Sequence, residues 1–565
     1  MPHRFRRAVA GVLALTLSVA AASPGSAPPT GAPPADDPLP AASPDRVRAH
    51  VAFLADDSLE GRLPGTRGYA VAARYVESGF AQLGLRPGVD GTSYSQPVPL
   101  VESLAPLPGS TMVLARAQGA PITLVSGADF LPVASLTETR VAAEAPLVFA
   151  GFGVHAPGHG HDDLAGIDVK GKVVLVLTGA PARFPPAVRA HYSSGLTKFP
   201  ELMARGAVGV ITLQTPEDQQ RTPWQRLVQQ AWRSRLAWAA GEGEPNGAWS
   251  ALRIRASLNP ARAAALFEGA PLTLAQAFAN AAAGRPQGVD LPIIVRQQRQ
   301  SVIRRKASEN VVGVLEGGDP MLKGEYVVIS AHLDHVGKGA PIGGDAIYNG
   351  ALDNASGIAI MLETARLLAA LPQRPRRSVL FVAVTAEESG LQGSDYFVQH
   401  PTVPPGSMVA NINMDMPVAL APLADVVAFG AEHSSLGAVA ERAAAAEGVA
   451  VSPDTQPEEV FFVRSDQYSF VRAGIPALYV DEGRRSADPA QDLAARVEAF
   501  RKDRYHQPGD DLSQPIHWPS LAMLARLNAR VILDVANADE RPRWNPGTFF
   551  GETFAPKAAA ATAAR

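Results

Sequence analysis

The 565-residue sequence contains no cysteine. This absence excludes disulfide bonds, thiolate metal sites and cysteine nucleophiles, so any metal must be held by nitrogen and oxygen ligands. Long runs of one charge are also missing, because 51 basic and 54 acidic residues are interspersed and leave a net charge of -3. Such a balance gives no electrostatic reason to expect a nucleic acid or an anionic membrane as a partner, and we predict neither.

Beyond the N-terminus, no apolar run approaches the roughly 20 residues needed to cross a bilayer. The N-terminus is typical of an export signal, with basic residues at 4–7, an apolar stretch at 8–22 and small residues after it. An uncleaved anchor is the alternative, but the apolar stretch is short for one. We predict a signal peptide at residues 1–27, a disordered leader at 28–44, and a secreted or periplasmic mature protein without a membrane span.

The chain length and a change in the residue pattern along the sequence indicate more than one domain. Between about residues 145 and 291, short β-type runs are divided by Gly, Pro and Asp, whereas strands alternate with helices after residue 310. The alternation indicates an α/β fold with a mixed, mostly parallel sheet and helices on both faces. We predict a main domain at 45–140 and 296–540, a β-rich insert at 141–295 and a C-terminal tail at 541–565.

Five short polar islands interrupt the apolar stretches of the main domain. They are residues 331–335 (AHLDH), 352–354 (LDN), 386–389 (AEES), 413–415 (NMD) and 505–508 (YHQP). Charged groups rarely interrupt buried strands unless something compensates for their burial. Three islands follow predicted strands directly, at the edge where open α/β sheets place ligand sites. The islands together supply the histidines and carboxylates of a two-metal hydrolase.

The first island combines two histidines with an aspartate. His332 and Asp334 alternate at strand spacing, so the carboxylate of Asp334 is expected to accept the second ring N–H of His332 and to orient that ring for metal binding. A solvent-facing polar loop is the alternative. His335 is expected to point elsewhere, and we assign it no role.

The other islands supply oxygen ligands and a second imidazole. Asp353 precedes a predicted helix, so a helix N-cap is the alternative to metal binding there. Glu387 and Glu388 repel each other unless a cation lies nearby, and one of them can bind metal while the other carries protons. Asp415 adds a further carboxylate, and His506 adds an imidazole from a loop.

In this order, the islands resemble the M28 family of zinc-dependent peptidases. The resemblance extends to residues 59–68 and 94–97, and residues 147–213 are similar to a protease-associated (PA) domain insert. It implies a zinc-peptidase type of fold with two zinc ions per chain. The implied metal ligands are His332, Asp353, Glu388, Asp415 and His506, with Asp353 bridging the two ions.

The resemblance also implies roles for residues beside the ligands. Glu387 would be the general base, Asp334 would orient His332, and the peptide bond between Asp353 and Asn354 would be cis. One departure is Gln467, where many relatives carry histidine. We therefore assign no metal role to Gln467 and expect residues 464–468 to line the substrate pocket.

The implied function is that of an exported dinuclear zinc exopeptidase that acts on peptides, most simply an aminopeptidase. A carboxypeptidase or dipeptidase is the near alternative, with a pair of arginines from Arg464, Arg484 and Arg485 to hold a substrate carboxylate. The alternatives from other classes are a metal-free binding module and a single-metal acyl transfer or cyclisation enzyme. Neither the oligomeric state nor the role of the insert follows from the sequence.

Overall fold

The computed structural model describes residues 37–116 and 119–555. The predicted signal peptide, most of the predicted leader and the last ten residues lie outside this part of the chain. Within the described ranges, no helix is both long enough and apolar enough to cross a membrane.

A ten-stranded mixed sheet forms the centre of the fold, and we call it the main sheet. Four neighbouring strands at its middle are parallel, and most of the strands outside them pair antiparallel. The predicted parallel pairing is therefore concentrated in the middle of the sheet, and one further parallel pair, Asp425–Phe429 with Ala450–Ser452, lies at its edge. Its strands, in chain order, are Arg86–Pro87, Ser95–Leu104, Arg235–Trp238, Val302–Leu315, Tyr326–His332, Ser378–Val384, Met408–Asn413, Asp425–Phe429, Ala450–Ser452 and Ala477–Glu482.

Both faces of the main sheet are covered, as the continuous apolar strands predict. Val327 and Ile329 point into the largest hydrophobic cluster, which helices Ser356–Ala369 and Trp518–Asn537 complete on one face. Val328, between them in sequence, packs into a separate cluster on the opposite face. Because successive side chains of a strand alternate, one apolar strand serves two cores. Polar side chains can therefore be placed only at the ends of such a strand.

The α-helices agree closely with the helical spacing of the sequence where that spacing was long. The predicted helix at 357–371 is observed as Ser356–Ala369, and the predicted helix at 393–400 as Gln392–Gln399. The remaining helices are Pro44–Leu54, Arg67–Gln82, Pro186–Ser193, Gly195–Ala204, Pro216–Arg221, Trp224–Gln229, Pro260–Ala263, Leu274–Ala282, Leu436–Ala446, Gln467–Arg472, Leu493–Asp503, Trp518–Asn537 and Phe549–Phe554.

An eight-stranded second sheet occupies the middle of the chain. The predicted insert at 141–295 differs from this sheet in two ways. The sheet begins earlier, since Thr111–Ala115 pairs with Val289–Gln300 and Ile122–Leu124 pairs with Thr111–Ala115. Within the predicted insert, Arg235–Trp238 joins the main sheet instead. The strands of the second sheet are Thr111–Ala115, Ile122–Leu124, Phe130–Pro132, Arg140–Phe149, Val173–Leu177, Gly209–Leu213, Ile254–Leu258 and Val289–Gln300. Two hairpins complete the strands, Gly337–Ile342 with Asp345–Tyr348 and His155–Ala156 with His161–Asp162.

The predicted tail after residue 540 is wrong for the residues that the structure describes. Phe549–Phe554 is a helix, and the side chain of Phe550 is fully buried against His433 and Phe462. This helix has six residues, which is too short for a helical periodicity to be read from the sequence.

We expect Phe550→Ala to lower the free energy of unfolding by about 3–5 kcal/mol, because it removes a fully buried aromatic ring. Met321→Ala is the matched control, since the Met321 side chain is 86% exposed. Denaturant midpoints measured for both variants check this. Equal midpoints would mean that the terminal helix is not part of the cooperative fold.

Candidate metal centre and active site

Three of the predicted islands meet at one edge of the main sheet because the parallel strands before them end there. Ser330 lies beside Asn413 in the register of two adjacent strands, so the side chains two residues further on, His332 and Asp415, become neighbours. On the other side, His332 lies beside Val384, shortly before the paired glutamates. The sheet edge thus gathers side chains that are far apart in sequence.

The predicted metal ligands form two clusters that share Asp353. The Nε2 atom of His332 lies 2.9 Å from Oδ1 of Asp415 and 3.3 Å from Oδ1 of Asp353. The Nε2 atom of His506 lies 2.9 Å from Oε2 of Glu388 and 3.2 Å from Oδ2 of Asp353. The two oxygens of Asp353 therefore face different clusters, which is the arrangement expected of a bridging carboxylate.

The loop that carries Asp353 is tied to the loop that carries Asp415. The peptide bond between Asp353 and Asn354 is cis, as predicted. The side chain of Asn354 donates to the carbonyl of Met414 at 3.0 Å and accepts the N–H of Met416 at 3.0 Å. One buried carboxamide thereby holds the bridging carboxylate beside its neighbour in the first cluster.

Asp510, from the last motif, fixes the same loop from the other side. Its buried carboxylate accepts the N–H groups of Leu352 at 2.9 Å and Asp353 at 3.0 Å. Burial raises the pKa of Asp510 to about 7, while these two hydrogen bonds oppose the shift. The helix N-cap alternative for Asp353 is wrong, because the side chain of Asn354 accepts the N–H of Gly357 instead.

The contacts of Asp334 differ from the prediction that its carboxylate binds the ring of His332. Its backbone carbonyl, not its carboxylate, lies 3.1 Å from Nδ1 of His332. The carboxylate instead accepts the N–H groups of Glu387 at 3.1 Å and Glu388 at 3.4 Å. The strand ends at His332, so the alternation of side chains on which the prediction rested does not continue to Asp334. Asp334 therefore positions the glutamate turn, and burial raises its pKa to about 7.

We expect Asp334→Asn to lower kcat/KM by roughly 10- to 100-fold. The carboxamide has a single acceptor oxygen, so its NH2 group would face the backbone N–H of either Glu387 or Glu388. Activity and zinc content of the purified variant are the measurements. The exposed Asp345 in a surface hairpin provides the control Asp345→Asn. A variant at 334 as active as this control would remove the proposed positioning role.

The adjacent glutamates have pKa values shifted in opposite directions. Burial raises the pKa of Glu387 well above its ordinary value, and the charge of Asp415 adds to the effect while His332 opposes it. Burial acts in the same way on Glu388, but His506 and other cationic neighbours outweigh it and hold that pKa well below the ordinary range. Neighbouring carboxyls pushed apart in this way are suited to different tasks, one as a ligand and one as a proton carrier.

His335, to which the sequence assigned no role, lies inside the second cluster. Its ring is fully buried, and Nδ1 lies 2.7 Å from Oε1 of Glu388 and 3.8 Å from Oδ2 of Asp353. The angle does not allow a hydrogen bond, so the His335 nitrogens and Oε1 of Glu388 have no hydrogen-bond partner among the described residues. Burial lowers the pKa of His335. The prediction that His335 points elsewhere is wrong.

The donor set fits divalent cations that prefer nitrogen and oxygen. Distances of 2.9–3.3 Å between ligand atoms match the edge of about 3.3 Å expected for a tetrahedron with bonds of about 2.0 Å. Three or more ligand atoms converge in two groups, His332 with Asp353 and Asp415, and His335 with Asp353 and Glu388. A cation would also satisfy the buried Oε1 of Glu388, which otherwise lacks a partner.

Arg62 is a further residue that the sequence did not single out. Its guanidinium is almost fully buried and donates to the carbonyls of Leu333 at 2.9 Å, Asn349 at 2.6 Å and Gly350 at 3.1 Å. These carbonyls belong to the loops that carry the first two islands, so one arginine fixes both. Burial lowers its pKa to about 10, against the opposing charge of the nearby carboxylates. The only signal was a charged residue within the Gly-rich segment 59–68.

An open cavity of about 430 Å³ adjoins the clusters and is lined by Glu387, Glu388, Tyr505 and His506. Arg464 lines it as well and is the one residue of 464–468, which were expected to line the substrate pocket, that does so. Gln467 is buried and accepts a hydrogen bond from Asn413 at 2.7 Å, which is a structural role.

The three arginines considered for a substrate carboxylate do not form a pair at this cavity. Arg464 lines it, whereas Arg485 lies 3.1 Å from a carboxylate oxygen of Asp425 and Arg484 forms an ion pair with Glu498. The charged residues that line the cavity are Glu387 and Glu388, which belong to the clusters or lie beside them, together with Arg235 and Arg464. A carboxylate beside the clusters holds an amine better than it holds a carboxylate.

Comparisons with known proteins agree with this geometry. Residues 310–532 match the sequence model of Peptidase family M28. Aminopeptidase YwaD of Bacillus subtilis (strain 168) is 33% identical over 109 residues, which are 18% of this chain and 21% of that protein. A protein named Probable zinc metalloprotease, from Pyrenophora teres f. teres (strain 0-1), is 35% identical over 107 residues, which are 19% of this chain and 22% of that protein. These alignments span less than a quarter of either relative.

A solved structure is similar over most of the chain. The aminopeptidase from Aneurinibacillus sp. strain AM-1 is similar with a TM-score of 0.50 and 19% sequence identity, covering 87% of this chain and 94% of that one. At this identity the similarity concerns the fold. The chain therefore shares the mixed α/β architecture of that structure.

Proposed function

We propose that this chain, which belongs to peptidase family M28 through its residues 310–532, is a zinc-dependent exopeptidase that removes residues from the N-terminus of peptides. The observation that carries the proposal is the pair of clusters joined by the two oxygens of Asp353. We further propose that the second sheet belongs to a PA domain insert, and that the protein is exported through its N-terminal signal.

His332 and Asp415 would hold one ion and Glu388 and His506 the other, with Asp353 between them. When bound, two such ions lower the pKa of a water molecule to near neutrality and polarise the scissile carbonyl of a peptide. The buried His335 lies 2.7 Å from Oε1 of Glu388, while His506 lies beside Oε2, so His335 would be close enough to the second ion to be a further ligand.

Glu387 is the residue that moves protons in this proposal. Both glutamates line the open cavity, but the carboxylate of Glu388 lies 2.9 Å from His506 and 2.7 Å from His335, whereas Glu387 is not assigned to an ion. As general base, Glu387 takes a proton from the attacking water and then delivers it to the nitrogen of the leaving amine. The raised pKa of Glu387 favours uptake of the proton from water, and nearby positive charge, which lowers that pKa, favours its delivery to the leaving amine.

The preference for a free N-terminus follows from the charge of the site. The carboxylate of Glu387, which is not assigned to an ion, lines the cavity and can attract an α-ammonium group, while the three candidate arginines form no pair that would hold a substrate carboxylate. An aminopeptidase therefore agrees better with this cavity than a carboxypeptidase does.

Zinc-replete protein should hydrolyse aminoacyl p-nitroanilides and leave their N-acetylated counterparts intact. Release of C-terminal residues from N-acetylated peptides would instead identify a carboxypeptidase. A purified protein without stoichiometric zinc and without turnover would identify a metal-free binding module. Metal analysis and product identification by mass spectrometry distinguish these outcomes.

A further inference from the structure

An arginine from outside the matched family region reaches into the second metal cluster. Arg233 lies just before the strand Arg235–Trp238, which returns from the middle of the chain to the edge of the main sheet. Its Nη2 atom lies 2.8 Å from Oε2 of Glu388, and its Nη1 atom lies 3.1 Å from Nδ1 of His506. Arg233 therefore contacts both of the ligands that would hold the second ion.

The direction of these hydrogen bonds conflicts with metal binding. A guanidinium only donates, so Nδ1 of His506 accepts, and the hydrogen of the neutral ring then lies on Nε2. Nε2 is the atom that faces Asp353 and Glu388, where an ion needs a lone pair. Histidine ligands ordinarily donate their other N–H to a carboxylate or carbonyl, so Arg233 supports the opposite arrangement.

The charge of Arg233 acts in the same direction. Its guanidinium lies against Oε2 of Glu388, the oxygen that is also closest to His506. It thus neutralises the carboxylate on which a second cation depends, and it would repel that cation across a short distance. The Arg233 side chain is 21% exposed, so solvent screens this repulsion only in part.

The structure also offers the guanidinium another position. Arg233 lines a cavity of about 280 Å³ together with Trp232, Glu102 and His335. The carboxylate of Glu102 accepts a hydrogen bond from the hydroxyl of Ser234 at 3.0 Å and forms an ion pair with Lys306 at 2.9 Å, so it is already neutralised. The cavity therefore gives the Arg233 side chain room to leave Glu388, and not a second unpaired carboxylate.

We propose that Arg233 is a resident cation that competes with the ion at Glu388 and His506, so that the two sites fill in order. The site of His332, Asp353 and Asp415 fills first, and the second site fills only when Arg233 leaves Glu388 and His506. This inference rests on the proposed two-metal function. It makes the segment before residue 235 a regulator of metal loading.

The test is a zinc titration of the full-length protein after removal of metal with a chelator, read with a competing chromogenic chelator. The wild type should show a tight and a weaker site, and Arg233→Gln should tighten the weaker site by roughly 10-fold or more while leaving the tight one unchanged. Arg233→Lys keeps the charge without the planar fork and should fall between them.

Arg226→Gln is the matched control. Arg226 lies on the same segment and donates to the carbonyls of Lys502 and Tyr505, both at 3.0 Å, without contacting a ligand side chain. It should leave both affinities unchanged, which separates the charge of Arg233 from a loosened segment. If Arg233→Gln binds the second zinc no more tightly than wild type, or more weakly, the competition is refuted. If no variant binds zinc at all, the proposed function fails together with the inference.

Discussion

Glu387→Gln is expected to retain both zinc ions while kcat falls by about 100- to 10,000-fold, the range for loss of a general acid–base group. The carboxamide has nearly the same shape as the carboxyl but cannot take up a proton from water. Because Asp334 binds the backbone of residue 387 and not its side chain, the turn should remain in place. Zinc content, circular dichroism and kcat of the purified variant check these statements.

The neighbouring residue provides the matched control for this experiment. Glu388→Gln changes the same atoms one position later, but there the carboxylate lies 2.9 Å from His506 and 2.7 Å from His335. We expect this variant to lose zinc from the second cluster, whereas Glu387→Gln loses turnover alone. If the two variants behaved alike, the division of roles between the glutamates would be incorrect. Full activity in Glu387→Gln would refute its role as the base.

Asp353→Asn should lower kcat/KM by at least about 1,000-fold, because it weakens both metal sites at once and each ion supplies several kcal/mol of charge stabilisation in the transition state. The Asp353 oxygens lie 3.3 Å from His332 and 3.2 Å from His506, on opposite sides. A neutral carboxamide offers one oxygen in place of two and turns an N–H group towards the other cluster. Zinc content is therefore expected to fall along with activity.

The measurement is zinc per chain together with kcat/KM at increasing zinc concentration. Asp345→Asn is again the control, since Asp345 is exposed in a hairpin. Retention of two tightly bound ions in Asp353→Asn would show that the clusters are independent of the shared carboxylate. Recovery of wild-type activity in excess zinc would limit its role to affinity alone.

The polar residues at the strand ends could be predicted, because buried strands are recognisable in the sequence as continuous apolar runs. Charged residues directly after strands such as Tyr326–His332 and Ser378–Val384 are unusual unless they work together, and parallel strands end at one edge of a sheet. The same reasoning failed two residues beyond a strand end. Asp334 was assigned the wrong contact because a periodicity of two holds only while the backbone stays extended.

Residues that reach the site from distant segments show no such pattern in the sequence. Arg62 lies in a Gly-rich loop and Arg233 precedes an edge strand, and neither position differs in its local pattern from an ordinary surface arginine. Their hydrogen-bond partners lie more than 150 residues away in sequence and depend on how the loops pack. His335 was missed for a related reason, since its direction depends on the turn after the strand.

From its residue pattern alone, this chain could be assigned an α/β core and a set of nitrogen and oxygen ligands, since burial, strand periodicity and the lack of cysteine are local properties of a chain. Packing alone decided that Asp353 faces two clusters, that Asp334 holds the glutamate turn and that Arg233 contacts the ligands of the second ion. These contacts depend on which loops meet in space, and no local pattern encodes the distance between two loops.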